Sequence, residues 1–355
     1  MKIVVACGGT GGHAFPGLAA AEELKKRGHE VSVWMSGRDI ESSVMKNWTG
    51  NRFSTCARPL SAKNIFSNIR SFFRCRKEIS RFMPDAILAM GSYSSLPPVL
   101  AARACGVATY LHEANTVPGR AVEFLSRFAK AVAISFDETR RHLPGVRTVK
   151  TGLPVRDGIN RGSRFKFIPA GAFVVFVTGG SQGAHAVNEL MTKALALMKS
   201  ELDRRKGEKK VLYVIHQSGV ADEGRVIGEY ARASIPCRVH AFEHEMADAY
   251  ASADVVVARA GASTLFELAA CGKRALLIPL PGSMRDHQHH NADAFAVKGA
   301  ADEGVQAKLT PRQISRYLLN CYDNPGKTAE MQRRIRLLST ADAAQRLADM
   351  VEGIL

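Results

Sequence analysis

Along the chain, short continuous apolar runs alternate with longer segments whose apolar positions recur every three to four residues. Ile3–Cys7 and Val31–Met35 have the length and β-branched content of buried strands, and "AAAEELKKRG" between them has helical spacing ended by Gly28. Ala86–Met90, Val107–Leu111 and Ala131–Ser135 continue the series. The pattern then restarts: "FVVFV" at 173–177 leads through Thr178-Gly-Gly-Ser-Gln-Gly-Ala184 into the helical "HAVNELMTKALALMK", an offset of 171 from the first block. Val211–His216, Cys237–Phe242, Val255–Ala258 and Ala275–Pro279 are the later strand candidates. Strand–helix alternation of this kind predicts α/β architecture with parallel sheets covered on both faces, here used twice.

The expected boundary lies near Asp157–Pro169, where "DGINRGSRFKFIPAG" reads as a linker. That divides the chain into residues 1–157 and 158–333. The tail from 328 to 354 reads as helical, and the stretch 334–355 is expected to complete the first domain. Open parallel sheets bind ligands at the carboxyl ends of their strands, where strand order reverses. The predicted fold is therefore two doubly wound, Rossmann-like domains whose glycine loops face one cleft.

Composition narrows the partners. In 355 residues the net charge is +16, and residues 1–157, with 23 Lys and Arg against 12 Asp and Glu, carry +11 of it. An anionic partner for the front half is the simplest reading. No run approaches the eighteen apolar residues of a membrane span, and Ile3–Cys7 is too short for a secretory signal. Seven cysteines without a Cys-x-x-Cys pair suggest reduced thiols rather than a zinc site or disulfide framework.

The candidate chemistry sits at the loops. Gly9-Thr10-Gly11-Gly12-His13-Ala14 fits a relaxed dinucleotide fingerprint. The second strand, however, ends in Ser36-Gly37, without the ribose-binding acid a nicotinamide enzyme needs. Either a tight turn or anion contact at a helix N-terminus explains the loop. Ser181 in "TGGSQGA" could cap a helix or grip a diphosphate. His13 lies just inside a helix start, whose positive end favours the neutral imidazole a base requires. Thr264 and Glu267 have capping-box spacing, although a carboxylate there could also hold a sugar diol. The histidines of "DHQHHNA" at 286–292 lack the i, i+4 arrangement of zinc enzymes, and no Asp-x-Asp occurs, so no metal and no cofactor are expected. "KNIFSNIRSFFRCRKEISRF" at 63–82 interleaves Ile65, Phe66, Ile69, Phe72 and Phe73 with Arg70 and Arg74. It is either an ordinary amphipathic helix or one that lies on an anionic bilayer. No nucleic-acid recognition module is recognisable.

Together these stretches resemble one family. The blocks "GGTGGHAFPGLAAAEELKKRGHEV", "MGSYSSLPPVLAA", "LHEANTVPGRA", "TGLPVR", "GGSQGAHAVNEL", "HQSG", "MADAYASADVVVARAGASTLFELAACGKRALLIPLP" and "DHQHHNA" follow in the order of the bacterial N-acetylglucosaminyltransferases that convert lipid I to lipid II. The resemblance implies a metal-independent, inverting enzyme of the B-type glycosyltransferase fold, peripheral on the cytoplasmic face of the inner membrane. Its substrates would be UDP-N-acetylglucosamine and undecaprenyl-linked lipid I. It implies donor contacts from Thr10, Gly11, Gly12, Asn115, Arg156, Ser181, Glu243, Ala262, Ser263, Thr264, Leu265, Phe266, Glu267, His287 and Gln288. Glu267 would hold the ribose, and His13 and Glu113 would lie near the reacting centre. The basic, aromatic stretch at 63–82 would meet the membrane. Three residues depart from the family pattern: Ala114 stands for a usual glutamine, Leu153 for an asparagine and Ser92 for a glycine. Related transferases with other acceptors, nicotinamide oxidoreductases and non-enzymatic anionic-surface binders are the competing classes.

Overall fold

The computed structural model describes residues 1–9, 11–37, 45, 48–207 and 210–355. Two compact units emerge, one of residues 1–157 with 340–355, the other of residues 158–339.

The first unit is built on a seven-stranded sheet in the order β3-β2-β1-β4-β5-β6-β7. Its strands are β1 (Lys2–Ala6), β2 (Glu30–Met35), β3 (Asn51–Ser54), β4 (Ala86–Ala89), β5 (Ala108–Glu113), β6 (Ala131–Ile134) and β7 (Thr148–Lys150). Every pairing is parallel. Burial on both faces explains the unbroken apolar runs: Ile3, Val4 and Val5 are fully buried, and they feed different core clusters on opposite faces.

The second unit repeats the plan with six parallel strands, β10-β9-β8-β11-β12-β13. These are β8 (Phe173–Thr178), β9 (Leu212–Gln217), β10 (Cys237–His240), β11 (Val255–Ala258), β12 (Ala275–Leu277) and β13 (Asp302–Glu303). In each unit the first strand sits where the order reverses, with β1 between β2 and β4 and β8 between β9 and β11. Each glycine loop therefore leaves the sheet at its switch point.

Several expectations change. Three edge strands, β3, β7 and β13, were not legible, because they are two to four residues long and none is fully buried. The stretch after Asp157 is not a loose linker. Phe165 is buried and stacks on Phe167 with ring centroids 4.9 Å apart, the Phe165 amide donates to Ser252 Oγ at 3.0 Å, and the Ser163 amide donates to Asp248 at 2.7 Å.

The chain also returns later than residue 334. The helix Pro325–Arg336 belongs to the second unit, where Ile335 is buried and the Arg336 side chain lies over left-handed Gly272. A Cβ at Gly272 would sit 1.9 Å from Arg336 Nε. Only the helix Ala343–Glu352 completes the first unit, burying Leu347, Ala348, Met350 and Val351 against Ile3 and Leu24. Arg27 pins it there, reaching Asp349 and Glu352 at 2.6 Å each.

Candidate functional site

In the first unit the loop after β1 runs through Gly8 and Gly9 into the helix Gly11–Lys26; Thr10 lies outside the described residues. Gly9 has φ +115°, and a Cβ there would come within 2.5 Å of Ser92 Oγ, so both conformation and space demand glycine. The Ser94 hydroxyl donates to the Gly8 carbonyl and fixes the loop from below. No acidic side chain of the helix itself occupies its first turn, at Gly11 and Gly12.

His13 follows on that turn, half-buried. Its Nδ1 lies 2.9 Å from the Met90 carbonyl. A carbonyl only accepts, so Nδ1 carries the proton and the lone pair of the neutral imidazole is on Nε2. Glu113, at the end of β5, is buried, and its carboxylate holds a loop together. Oε1 accepts from the Asn115 amide at 2.9 Å and from Asn115 Nδ2 at 3.0 Å, and Oε2 accepts from the Gly119 amide at 2.9 Å. Burial raises its pKa, against the lowering effect of those bonds. Glu113 and Asn115 were expected as separate contacts; the structure bonds them to each other, which makes Glu113 a brace of residues 113–119. Arg156 lays its guanidinium over the Phe15 ring, 4.3 Å from the centroid. Ala114 and Leu153, two of the departures, are buried. Ser92, the third, adopts φ +68°, a region costly for any residue with a side chain.

In the second unit, Thr178–Ala184 forms the equivalent loop. The Gly180 amide donates to Thr178 Oγ1 at 3.2 Å, and the Gly183 amide closes a turn onto the Gly180 carbonyl at 2.9 Å. The following helix, His185–Arg204, has Ala184 as its N-cap without a side-chain bond. Ser181 therefore does not cap it; it stands exposed on the turn, one residue beyond Gly180.

The helix Ala262–Cys271 likewise starts from Gly261 without a side-chain cap, so the Thr264–Glu267 capping box does not form. Thr264 is one turn too far into the helix to accept from its first amides. Glu267 instead turns inward, buried, and accepts from the Tyr250 hydroxyl at 3.1 Å. Ser263 and Thr264 are half-buried, whereas the side chains of Ala262, Leu265 and Phe266 enter the core, leaving only backbone to face a ligand there.

Glu243 is buried. Burial pushes its pKa up, but bonds from Arg238 at 2.9 and 3.1 Å and from the Glu245 amide at 2.9 Å hold it below the ordinary carboxylate range. Gln288 Oε1 accepts from the Leu280 amide at 2.9 Å, and His287 Nδ1 donates to the Met284 carbonyl at 2.9 Å, so both shape the 279–288 loop. His289 pairs with Glu303 at 2.6 Å. Among the described residues no group of three or more His, Cys, Asp or Glu side chains is placed to hold a metal.

Residues that sequence reading did not single out also shape this end of the sheet. Buried Arg259 donates to the Ile278 and Pro279 carbonyls at 3.1 and 3.0 Å. Gln217 bonds two loops at once. Both lie within the blocks "HQSG" and the run to Pro281, but a side chain whose partners are loop carbonyls and amides, and for Arg259 also Gln306 Oε1 at 2.7 Å, leaves no periodic or spacing signal.

On the helix Ile65–Phe82, Ile65, Ile69 and Phe73 are exposed at i, i+4 spacing with Phe66 beside Ile65, Phe66 by 84% and Phe73 by 57%. Arg70 lies exposed beside them. Two of the expected surface residues are otherwise engaged. Phe72 packs on the sheet core, and Arg74 donates to the Ser54 carbonyl at 3.1 Å and lies over Phe53. Among the described residues no helix is long and apolar enough to cross a membrane.

The glycosyltransferase family 28 N-terminal domain profile matches residues 3–134, and the family's C-terminal domain profile matches residues 174–347. A protein of Geotalea uraniireducens named UDP-N-acetylglucosamine--N-acetylmuramyl-(pentapeptide) pyrophosphoryl-undecaprenol N-acetylglucosamine transferase is 34% identical over 366 residues, covering 98% of this chain and 97% of its own. The protein of that name from Geobacter sp. strain M21 is 35% identical over 355 residues, covering 97% and 94%. The crystal structure of Acinetobacter baumannii MurG superposes with a TM-score of 0.78 at 29% identity, covering 99% of each chain. UDP-GlcNAc 2-epimerase from Neisseria meningitidis superposes with a TM-score of 0.73 at 11% identity, covering 99% of this chain and 100% of its own, a likeness of fold alone. Matched in both halves, and over nearly its whole length by these relatives, the chain belongs to glycosyltransferase family 28.

Proposed function

We propose that this protein transfers N-acetylglucosamine from UDP-N-acetylglucosamine to the 4-hydroxyl of the muramoyl sugar of undecaprenyl-linked lipid I, forming lipid II for peptidoglycan synthesis. The observation that carries the reading is the Thr178–Ala184 glycine loop at the switch point of the second sheet, beside a helix whose buried Glu267 is not used as a cap.

The second unit takes the donor. The Ser181 and Gln182 amides of the turn and the start of the helix His185–Arg204 face the diphosphate, and Glu267 accepts from the ribose hydroxyls. Backbone near Glu243 meets the uracil, and the half-buried Ser263 and Thr264 and the 287–288 turn complete the contacts. The departing UDP gains negative charge as the glycosidic bond breaks. Preorganised amides at a helix start stabilise that charge without having to reorient.

The first unit takes the acceptor. As the 4-hydroxyl oxygen bonds to the anomeric carbon, the hydroxyl proton passes to His13 Nε2, and attack from the face opposite UDP gives the β-1,4 linkage. The Met90 carbonyl keeps the other ring nitrogen protonated, so Nε2 is the basic one. Glu113 positions residues 113–119 and takes no proton. The helix start at Gly11 and Gly12, together with Arg156, supplies positive charge toward a diphosphate.

The exposed Ile65–Phe73 stripe and the basic groups around it would rest in the headgroup region of an anionic membrane, keeping the enzyme peripheral on the face where lipid I is presented.

The test is transfer of labelled N-acetylglucosamine from its UDP donor to a lipid I analogue, with EDTA present. Formation of the β-1,4-linked disaccharide supports the reading, and hydrolysis or epimerisation of the donor without transfer refutes it.

A further inference from the structure

Gln217 ends β9, the strand between β8 and β10, paired in register with Thr178 on one side and His240 on the other. On the β10 side the backbone pairing runs on past that point, the Ser218 and Gly219 amides donating to the His240 and Ala241 carbonyls at 2.9 and 3.0 Å. The Gln217 side chain adds a bond to the loop on either side. Its Nε2 donates to the Gly180 carbonyl at 2.7 Å, and its Oε1 accepts from the Glu243 amide at 3.2 Å. It is 4% exposed, so water does not compete freely for either bond.

The next two residues continue the brace. Gly183 and Gly219, at φ +73° and +81°, pack backbone against backbone so closely that a Cβ on Gly183 would lie 2.1 Å from the Ser218 carbonyl oxygen. A Cβ on Gly219 would lie 2.4 Å from the Gln182 carbonyl oxygen.

We infer that Gln217 is a positioning residue, a clasp that sets the spacing between the loop serving the donor's diphosphate and the loop serving its base. The inference rests on the proposed donor site. A nucleoside diphosphate engages both loops with one rigid ligand, so it gains from their being held at the right separation before it arrives. A nucleoside alone engages only one loop and gains little. Only a primary amide serves, because one bond needs a donor and the other an acceptor. A carboxylate would set an oxygen against the Gly180 carbonyl, and a thioether would satisfy neither partner.

The experiment measures UDP and uridine binding by calorimetry for wild type, Q217E and Q217M, with steady-state kinetics for UDP-N-acetylglucosamine. In both variants the UDP Kd and the donor KM are expected to rise at least tenfold. The uridine Kd should change less than threefold, and kcat at saturating donor should change less than threefold. Wild-type UDP affinity in both variants overturns the clasp, and so does equal loss of UDP and uridine, which marks a general structural role. Should either variant fail to fold, amide hydrogen exchange of the ligand-free wild type decides. The Glu243 amide is expected to be protected, and exchange at the rate of an open loop overturns the inference. Wild type failing to bind UDP at all sinks the donor site itself, a separate outcome.

Discussion

Replacing Glu267 with glutamine is the most direct probe of the donor site. The substitution keeps the side-chain shape and leaves a carbonyl oxygen to accept from Tyr250, which is fully buried and donates at 3.1 Å. What changes is the charge presented to the ribose. Hydrogen bonds to a charged acceptor contribute about 1.5–3 kcal/mol each, and neutral ones about 0.5–1.5. For two ribose hydroxyls the difference comes to about 2–3 kcal/mol, a KM increase of about 30- to 150-fold. The ribose is remote from the breaking bond, so the interaction is the same in the ground and transition states and kcat should be nearly unchanged. The assay is transfer to a lipid I analogue over a range of UDP-N-acetylglucosamine concentrations, with thermal unfolding as the control for folding. Tyr250→Phe serves as a comparison, expected to lower stability more than it raises KM. An unchanged KM in E267Q would refute the reasoning and leave the carboxylate with a structural role only.

Other consequences are as direct. His13→Ala should lower kcat by about 10²- to 10⁴-fold, the usual worth of a general base, and near-normal turnover would remove that role. Phe66→Ser with Phe73→Ser removes two exposed rings, each worth about 1.5 kcal/mol or more when buried, so affinity for anionic vesicles should fall about a hundredfold while a soluble acceptor analogue is still used. Phe72→Ser should instead lower stability, and a vesicle defect without loss of stability would reverse that assignment. Burial pushes the imidazole of His112 down to about 4 and that of His216 down to about 3, while an unfolded chain protonates histidine near 6.5. Stability from these groups is therefore complete above about pH 6.5. It falls by about 1.4 kcal/mol per pH unit for each histidine as the pH drops below that value, or about 2 kcal/mol per domain at pH 5. Urea unfolding at pH 7 and pH 5 reads the loss directly, and equal stability at both would contradict it.

What the sequence by itself determined is whatever lies in short-range pattern. Central parallel strands are buried on both faces, so Ile3–Cys7 and Phe173–Val177 had to be continuous apolar runs, and their recurrence revealed a plan used twice. Glycines at the strand ends marked the loops, because positive φ at Gly9 and Gly183, and close backbone approach at Gly183, favour no other residue. The ordered blocks of family resemblance pointed to the chemistry.

The tertiary structure decided which partner each polar group takes. Thr264 and Glu267 have capping spacing, yet the helix begins at Ala262, and Glu267 is claimed by Tyr250 from another element. Phe72 and Phe73 are adjacent in sequence, but successive helical side chains diverge by about 100°, so one joins the core and the other meets solvent. The helices Pro325–Arg336 and Ala343–Glu352 follow one another in the chain and belong to different units, because residues distant in sequence, Gly272 for the first and Arg27 for the second, receive them. Periodicity records which face of an element is apolar. Contacts set by chain reversal, such as the two loops joined by Gln217, depend on where distant segments end and leave no local trace.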